Sequence, residues 1–308
     1  MKIVKLLGLL GIILTHQLKA QTLSDGLMMP KKDLCTGFLY STDSWKNYWE
    51  GTLKRDNMNL GTVTTTSATW VGSYGLTEKI NLIAMVPYVW TRASSGTLHP
   101  MQGVQDLTFG GKYRFFKKEF QNSSLKTFAA LSFSLPLTNY TPDFLPLSIG
   151  LSSKTVAVRI NSVYTLAKNW YTGISGAYIF RSNVTLDRPS YYTDGQLFLT
   201  NEVAMPNQFQ FFGNIGYKKN NWQVEINYNQ QNTLGGGDIR RQDMPFASNR
   251  MNFAKIGING AYYFPYPKGL AAHATASYTV AGRNVGQSTM YTAGLLYIIH
   301  FKKEIQTN

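Results

Sequence analysis

The stretch Asp106-Leu107-Thr108-Phe109-Gly110-Gly111-Lys112-Tyr113-Arg114-Phe115 decides the fold. Leu107, Phe109, Gly111, Tyr113 and Phe115 share one parity, and Asp106, Thr108, Gly110, Lys112 and Arg114 share the other. Side chains alternate across a β-strand, so the segment has one apolar and one polar face. The pattern recurs in both directions along the chain. Trp222, Val224, Ile226 and Tyr228 oppose Gln223, Glu225, Asn227 and Asn229, and Leu270 to Val280 carries Ala272, Ala274, Ala276 and Tyr278 against His273, Thr275, Ser277 and Thr279. Ile80, Leu82, Ala84, Val86, Tyr88 and Trp90 make a further apolar face.

The positions of the aromatics say what those faces meet. On the apolar parity, Tyr74, Phe115, Tyr164, Trp170, Tyr217, Trp222, Phe264 and Phe301 flank the short joints, and Trp90, Phe180, Tyr228, Tyr278 and Tyr291 flank the long ones. Two aromatic belts on one surface are what the two interfaces of a bilayer select. The interior of a soluble barrel gives no reason for girdles. The fold class is therefore all-β: a transmembrane, antiparallel, up-and-down β-barrel.

Tight joints fall at 75–79, 117–124, 168–169, 219–221 and 265–269, and longer ones near 43–59, 92–103, 138–149, 185–207, 233–249 and 282–287. Five short turns between six longer loops give twelve strands with both termini on the periplasmic side. Fourteen is the alternative, because 195–202 within the 185–207 connection reads either as a hairpin above the membrane or as a further spanning pair. The first strand is placed around Leu34 to Thr42.

Residues 1–20 read as a cleaved secretory signal, with Lys2 and Lys5 ahead of the apolar run Leu6 to Leu14 and a cut after Ala20, so the mature chain begins at Gln21. The remainder divides into an N-terminal periplasmic segment at 21–33, expected to hang as a free tail with a plug threading the lumen as the alternative, the barrel at 34–301 and a tail at 302–308. No other run is long and apolar enough for a membrane helix, and the mean hydropathy of -0.19 fits strands that are apolar on one side only. Export directs the protein to the bacterial outer membrane, with outer-leaflet lipids and lipopolysaccharide as neighbours and the barrel-assembly machinery as a partner.

The formal charge is +14, three of the cations (Lys2, Lys5, Lys19) belonging to the leader. Export and the lack of a dense basic run exclude a nucleic-acid partner. Lys46, Lys54, Arg55, Arg92, Arg188, Arg240, Arg241, Arg250 and Arg283 fall in the long loops, near lipid phosphates. Lys112, Arg114, Lys126, Arg159, Arg181, Lys218 and Lys255 carry inward parity, opposed by Asp106 and Glu225; His273 also faces inward. These residues either line a pore that favours anions or wall it off by bonding one another.

The runs Tyr74-Gly75-Leu76-Thr77-Glu78-Lys79, Val86-Pro87-Tyr88-Val89, Gly103-Val104-Gln105-Asp106-Leu107 and Lys112-Tyr113-Arg114-Phe115, with Ser134-Leu135-Pro136-Leu137 after them, resemble the MetA-pathway of phenol degradation family. The resemblance extends over about 74–137 and singles out Gly75, Pro87, Tyr88, Gly103, Asp106, Leu107, Lys112, Tyr113, Arg114 and Phe115. It implies an outer-membrane barrel passing small, often hydrophobic or aromatic, compounds. From the residues alone, Gly75 is expected at positive φ in its hairpin, Pro87 at a bulge or rim, and Gly110-Gly111 at a bend or close approach.

Other classes leave weaker marks. The histidines beyond the leader are His99, His273 and His300. His273 and Ser277 share a face but lie roughly 13 Å apart at strand rise, too far for a base to take a hydroxyl proton, so an outer-membrane lipid hydrolase is disfavoured. No cofactor or metal spacing is present, and Gly235-Gly236-Gly237-Asp238 opens no helix that would cradle phosphate. Cys35 reads as a small residue of the first strand. The solute itself is not specified, and the runner-up to a passive channel is a closed barrel whose aromatic-rich loops bind at the surface.

Overall fold

A computed structural model describes residues 22–166, 169–241 and 244–301; the leader, the cut before Gln21 and the 302–308 tail lie outside the described residues. Twelve strands form one closed antiparallel barrel: β1 (Asp33–Trp45), β2 (Val63–Gly75), β3 (Ile80–Ala93), β4 (Asp106–Phe120), β5 (Ser123–Pro136), β6 (Thr155–Thr165), β7 (Trp170–Arg181), β8 (Gln208–Lys219), β9 (Trp222–Thr233), β10 (Asn252–Tyr263), β11 (Leu270–Arg283) and β12 (Thr289–His300). Each strand pairs with its sequence neighbour, and β1 closes on β12 from Asp33 opposite His300 to Ser44 opposite Thr289. Lipid offers no hydrogen bonds, so only a closed ladder satisfies these backbones.

The parity is as the sequence dictates. Phe38, Ile174, Ile215 and Ile226 stand outward and exposed, while Asn81, Lys112, Asn161 and Ser175 point inward and are buried. The belts form ring pairs: Trp170–Tyr217 at 5.0 Å and Trp222–Tyr262 at 4.6 Å across strands below, and above Tyr40–Trp90 at 6.0 Å across strands and Tyr178–Phe180 at 4.7 Å along one strand. Short turns use residues that accept left-handed backbone, Asn169, Asn220 and Gly269.

Two expectations need correction, and the twelve-strand count is upheld over its alternative. The 117–124 joint is strand, with the turn confined to 121–122: Lys117 pairs with Lys126 and Phe120 with Ser123. A bulge between Arg114 and Phe116 turns both Phe115 and Phe116 outward, which breaks the period-two pattern and disguises the continuation. The 185–207 connection holds two small hairpins outside the barrel sheet, Val184–Thr185 with Glu202–Val203 and Tyr191–Thr193 with Gln196–Phe198, so the count is twelve rather than fourteen. Gly75 does not have positive φ; a Cβ there would sit 1.9 Å from the Pro30 carbonyl oxygen, so glycine is required by the close approach of the N-terminal segment.

The ladder between β3 and β4 is offset at Pro87, whose carbonyl accepts from the Gln105 amide, and the short strand Gln102–Val104 takes up the pairing against Tyr88–Trp90. Gly110 faces inward where a Cβ would lie 2.8 Å from the Leu131 carbonyl oxygen.

Candidate conduction path

The segment expected to hang free in the periplasm lies against lumen-facing side chains instead. Lys32, at φ 66, turns the chain back before β1 begins. Met29 is 2 % exposed among the inward-facing Cys35, Leu296 and Ile298. Beyond it, Lys112 Nζ, wholly buried, donates to the Asp25 carboxylate at 2.9 Å and to the Thr22 carbonyl at 2.9 Å. Asn161 donates to the Leu23 carbonyl at 2.6 Å, and a Cβ on Gly26 would collide with Val163. With the turn in place Lys112 is shut from water, where a cation without a partner would be costly, and Asp25 on the same turn supplies that partner.

The wall beside the segment is polar. Arg159 donates to Ser175 at 3.2 Å and to Gln210 at 2.9 Å, and Gln210 continues to Gln231 at 3.0 Å. Among the described residues, Arg159's side-chain partners are neutral. Glu225 is enclosed by three donors, Tyr171 at 3.0 Å, Asn214 at 2.5 Å and Asn259 at 2.9 Å. Lys218 lies over the Tyr263 ring at 4.3 Å, while His273 Nε2 and Ser277 Oγ each lack a hydrogen-bond partner among the described residues. Nearer the outer mouth, Lys255 pairs with Asp43 at 3.3 Å and with Ser288 at 3.0 Å.

Two of the seven inward cations are thus paired with acids that parity did not count. Asp25 was assigned to the tail, and Asp43 lies one residue past the expected end of β1. Arg114 reaches the Glu78 carbonyl at the periplasmic turn, 3.0 Å away, and Lys126 stands opposite Lys117 on the β4–β5 hairpin, so both sit at the lower rim. Arg181 is at the upper rim, donating to the Pro206 carbonyl at 2.6 Å. Asp106, also at the top, accepts from the Tyr140 hydroxyl. Burial first, and that acceptor second, push the Tyr140 phenol above its ordinary range, which keeps it a donor.

The outer loops carry a core of their own. Val184, Leu186, Tyr191, Val203 and Met205 from one loop meet Phe246 and Ala247 from the next, with Tyr191 stacked on Phe198 at 5.0 Å and on Phe246 at 5.1 Å. Asp238 forks onto Arg283 at 2.8 and 2.6 Å and accepts from Asn284 at 2.7 Å. Asn284 in turn receives the amides of Gly51 and Ile239, so one carboxylate ties three loops together. The hydrogen bond from Arg283 holds the Asp238 carboxyl below its ordinary range. Among the loops lies a cavity of about 720 Å³ lined by groups such as Gln102, Asn139, Ser152, Lys154 and Glu202. Of the loop cations, Arg55 is bonded to Glu50 at 2.9 Å and Arg188 to Asp143 at 3.0 Å.

The family motif is distributed by this geometry. Tyr113 and Phe115 stand in the lower belt, Leu107 and Tyr88 face outward, Gly103 pairs with Val89 at the rim, and Gly75 and Lys112 touch the inserted segment.

The model of the family described as "Putative MetA-pathway of phenol degradation" matches residues 57–293. No curated protein matches the chain in sequence. Among solved structures, a COG4313 outer membrane channel from Pseudomonas putida F1 is 14% identical at a TM-score of 0.69, covering 88% of this chain and 97% of that one. A TodX monoaromatic hydrocarbon channel mutant is 10% identical at a TM-score of 0.47, over 89% and 91% of the two chains. The KdgM porin in complex with oligogalacturonate is 10% identical at 0.45, over 86% and 99%. With the twelve-stranded outer-membrane barrel and the family match over most of its length, the chain belongs to the MetA-pathway of phenol degradation family.

Proposed function

We propose that the barrel is a passive route across the outer membrane for small solutes, and that those solutes are polar or anionic aromatic compounds rather than plain hydrocarbons. The observation that carries the reading is Arg159, an inward-facing guanidinium whose side-chain partners, Ser175 and Gln210, are both neutral. Its charge stays available to a passing anion, and a low-dielectric wall focuses that charge into the lumen. The amides and hydroxyls around it favour solutes that hydrogen-bond, and the polar loop cavity is a vestibule of the same character. A fold shared with an outer membrane channel, and a family named for phenol degradation, support transport of small aromatic compounds. Loop cations such as Arg92 and Arg241 contact phosphates of the outer leaflet, and the last strand up to Phe301 is the signal to the assembly machinery.

Liposome swelling separates solutes directly. Benzoate enters faster than benzamide, which has a similar shape and no charge; equal rates, or faster entry of toluene-like solutes, would remove the polar reading. One observation favours a second reading, a closed surface-binding barrel, namely the insertion of residues 22–30 into the lower lumen. Vesicles that swell with no solute at all would select it. Hydrolysis has weaker support, because neither His273 Nε2 nor Ser277 Oγ has a hydrogen-bond partner.

A further inference from the structure

We infer that Lys112 and Asn161 form a carboxylate-binding site in the lumen, that Asp25 on Lys112 and the Leu23 carbonyl on Asn161 occupy it as tethered stand-ins, and that a carboxylate-bearing solute displaces residues 22–28 as it passes. This deepens the channel reading and rests on it.

The seat and the anchor of the segment are of different kinds. The seat is polar and held at few points: Asp25 and Thr22 on Lys112 Nζ, and the Leu23 carbonyl on Asn161. No strand pairing joins 22–28 to the barrel, so no ladder must break for it to leave. The segment also folds on itself. Asp25 accepts from the Thr22 and Leu27 amides and its own amide donates to the Thr22 hydroxyl, making a compact turn that moves as a unit. The anchor is apolar and tight. Met29 is packed among Cys35, Leu296 and Ile298, the Lys32 amide donates to the Gly75 carbonyl at 2.8 Å, and the bare Gly75 admits the Pro30 carbonyl. Lys32 holds the left-handed conformation that turns the chain inward, so the hinge lies at 29–32.

Lys112 supplies the reason for an anion. Its ammonium is fully buried and, among the described residues, its one ionic partner is Asp25, itself 23% exposed. A free carboxylate offers the same charge-assisted bond, and Asn161 Nδ2, released from the Leu23 carbonyl, gives it a second donor. When the turn leaves, water enters and Lys112 is solvated rather than stranded. The two states therefore differ by a modest free energy that solute binding to the vacated site can reverse, by binding one state in preference to the other. A neutral solute has no such preference and leaves the turn in place.

The same two positions give the lock and the reporter. In a Cys35→Ala background, Val163→Cys places a thiol beneath the turn, against Gly26. A water-soluble maleimide labels it slowly in the resting barrel, several-fold faster with millimolar benzoate, and equally fast in the added variant Asp25→Ala without benzoate. Benzamide at the same concentration gives no acceleration. Adding Gly26→Cys permits a disulfide across the contact: a Cβ at 26 lies 2.7 Å from that of Val163, and the turn lifts by about 1 Å to reach disulfide spacing. The oxidised pair closes the barrel to benzoate in swelling assays and reduction reopens it. Labelling unaffected by benzoate, or a locked barrel that passes benzoate as well as the reduced one, overturns the inference. Benzoate-dependent labelling in a barrel that swells with no solute upholds the site and instead removes the channel reading, so the two failures are distinct.

Discussion

Replacing Ile226 by arginine puts a guanidinium into hydrocarbon near the middle of the membrane. Ile226 is 66% exposed on the outer wall and pairs with Ile215 and Ile258, themselves outward and exposed, so no polar group lies beside it. A charge at that depth on the lipid face costs about 2 to 4 kcal/mol, or roughly thirty- to eight-hundredfold in the folding equilibrium at about 1.4 kcal/mol per decade. The next residue, Asn227, faces the lumen between Asn214 and Gly257. Arginine there meets water and amides and costs little. Both variants are refolded into vesicles across a urea series, and folded protein is scored by its altered migration on an unheated gel. The Ile226→Arg midpoint falls well below wild type while that of Asn227→Arg stays close to it. Equal losses at the two positions would refute the register from which every lumen assignment follows.

Arg159→Glu shifts the reversal potential of any open pore toward cations with little loss of folded protein, because no carboxylate partner is stranded and a turn of the Gln210 amide presents its NH2 group to the new acid; a conducting variant with unchanged selectivity removes Arg159 from the path. Glu225→Leu leaves Tyr171, Asn214 and Asn259 without their acceptor and lowers stability in the urea series by about 1 to 3 kcal/mol for the stranded donors; wild-type stability would mean that water already serves them. The Asp238 carboxyl is held below its ordinary value of 3.8, so its contribution to loop order is fully present above that value and is lost as pH falls through the lower, folded one. Hydrogen exchange at the Gly51 and Ile239 amides therefore shows steady opening free energies down to mildly acidic pH and loosening only below it, whereas loosening near neutrality would assign the brace to another group.

The barrel was legible because a strand with lipid on one side and water on the other has to alternate, and Ile80 to Trp90 or Trp222 to Tyr228 has nothing to obscure the period. The pattern failed where geometry departs from ideal strands. At the Phe115 bulge two neighbours turn the same way, so β4 seemed to stop short. The lumen was harder to read. Parity identifies which side Lys112 and Lys255 face, but their partners come from chain segments far away, Asp25 being 87 residues from Lys112. The polar turn 22–27 has no periodicity to mark it as inserted. Gly75 carried a usable signal, a glycine whose requirement is set by what passes over it, yet nothing local distinguishes that from a glycine needed for positive φ. The loop brace at Asp238 joins 51, 238 and 284, which no short-range pattern connects.

The most direct test of a polar, anion-preferring route is the reversal potential of the purified barrel in a planar bilayer under a potassium chloride gradient, measured for the wild type and for Asp25→Ala. Unpaired Arg159 in the lumen predicts discrete current steps with a potential displaced toward that of chloride, and larger steps once Asp25 no longer holds the turn on Lys112. A silent membrane with both proteins, or a potential displaced toward potassium, would contradict it.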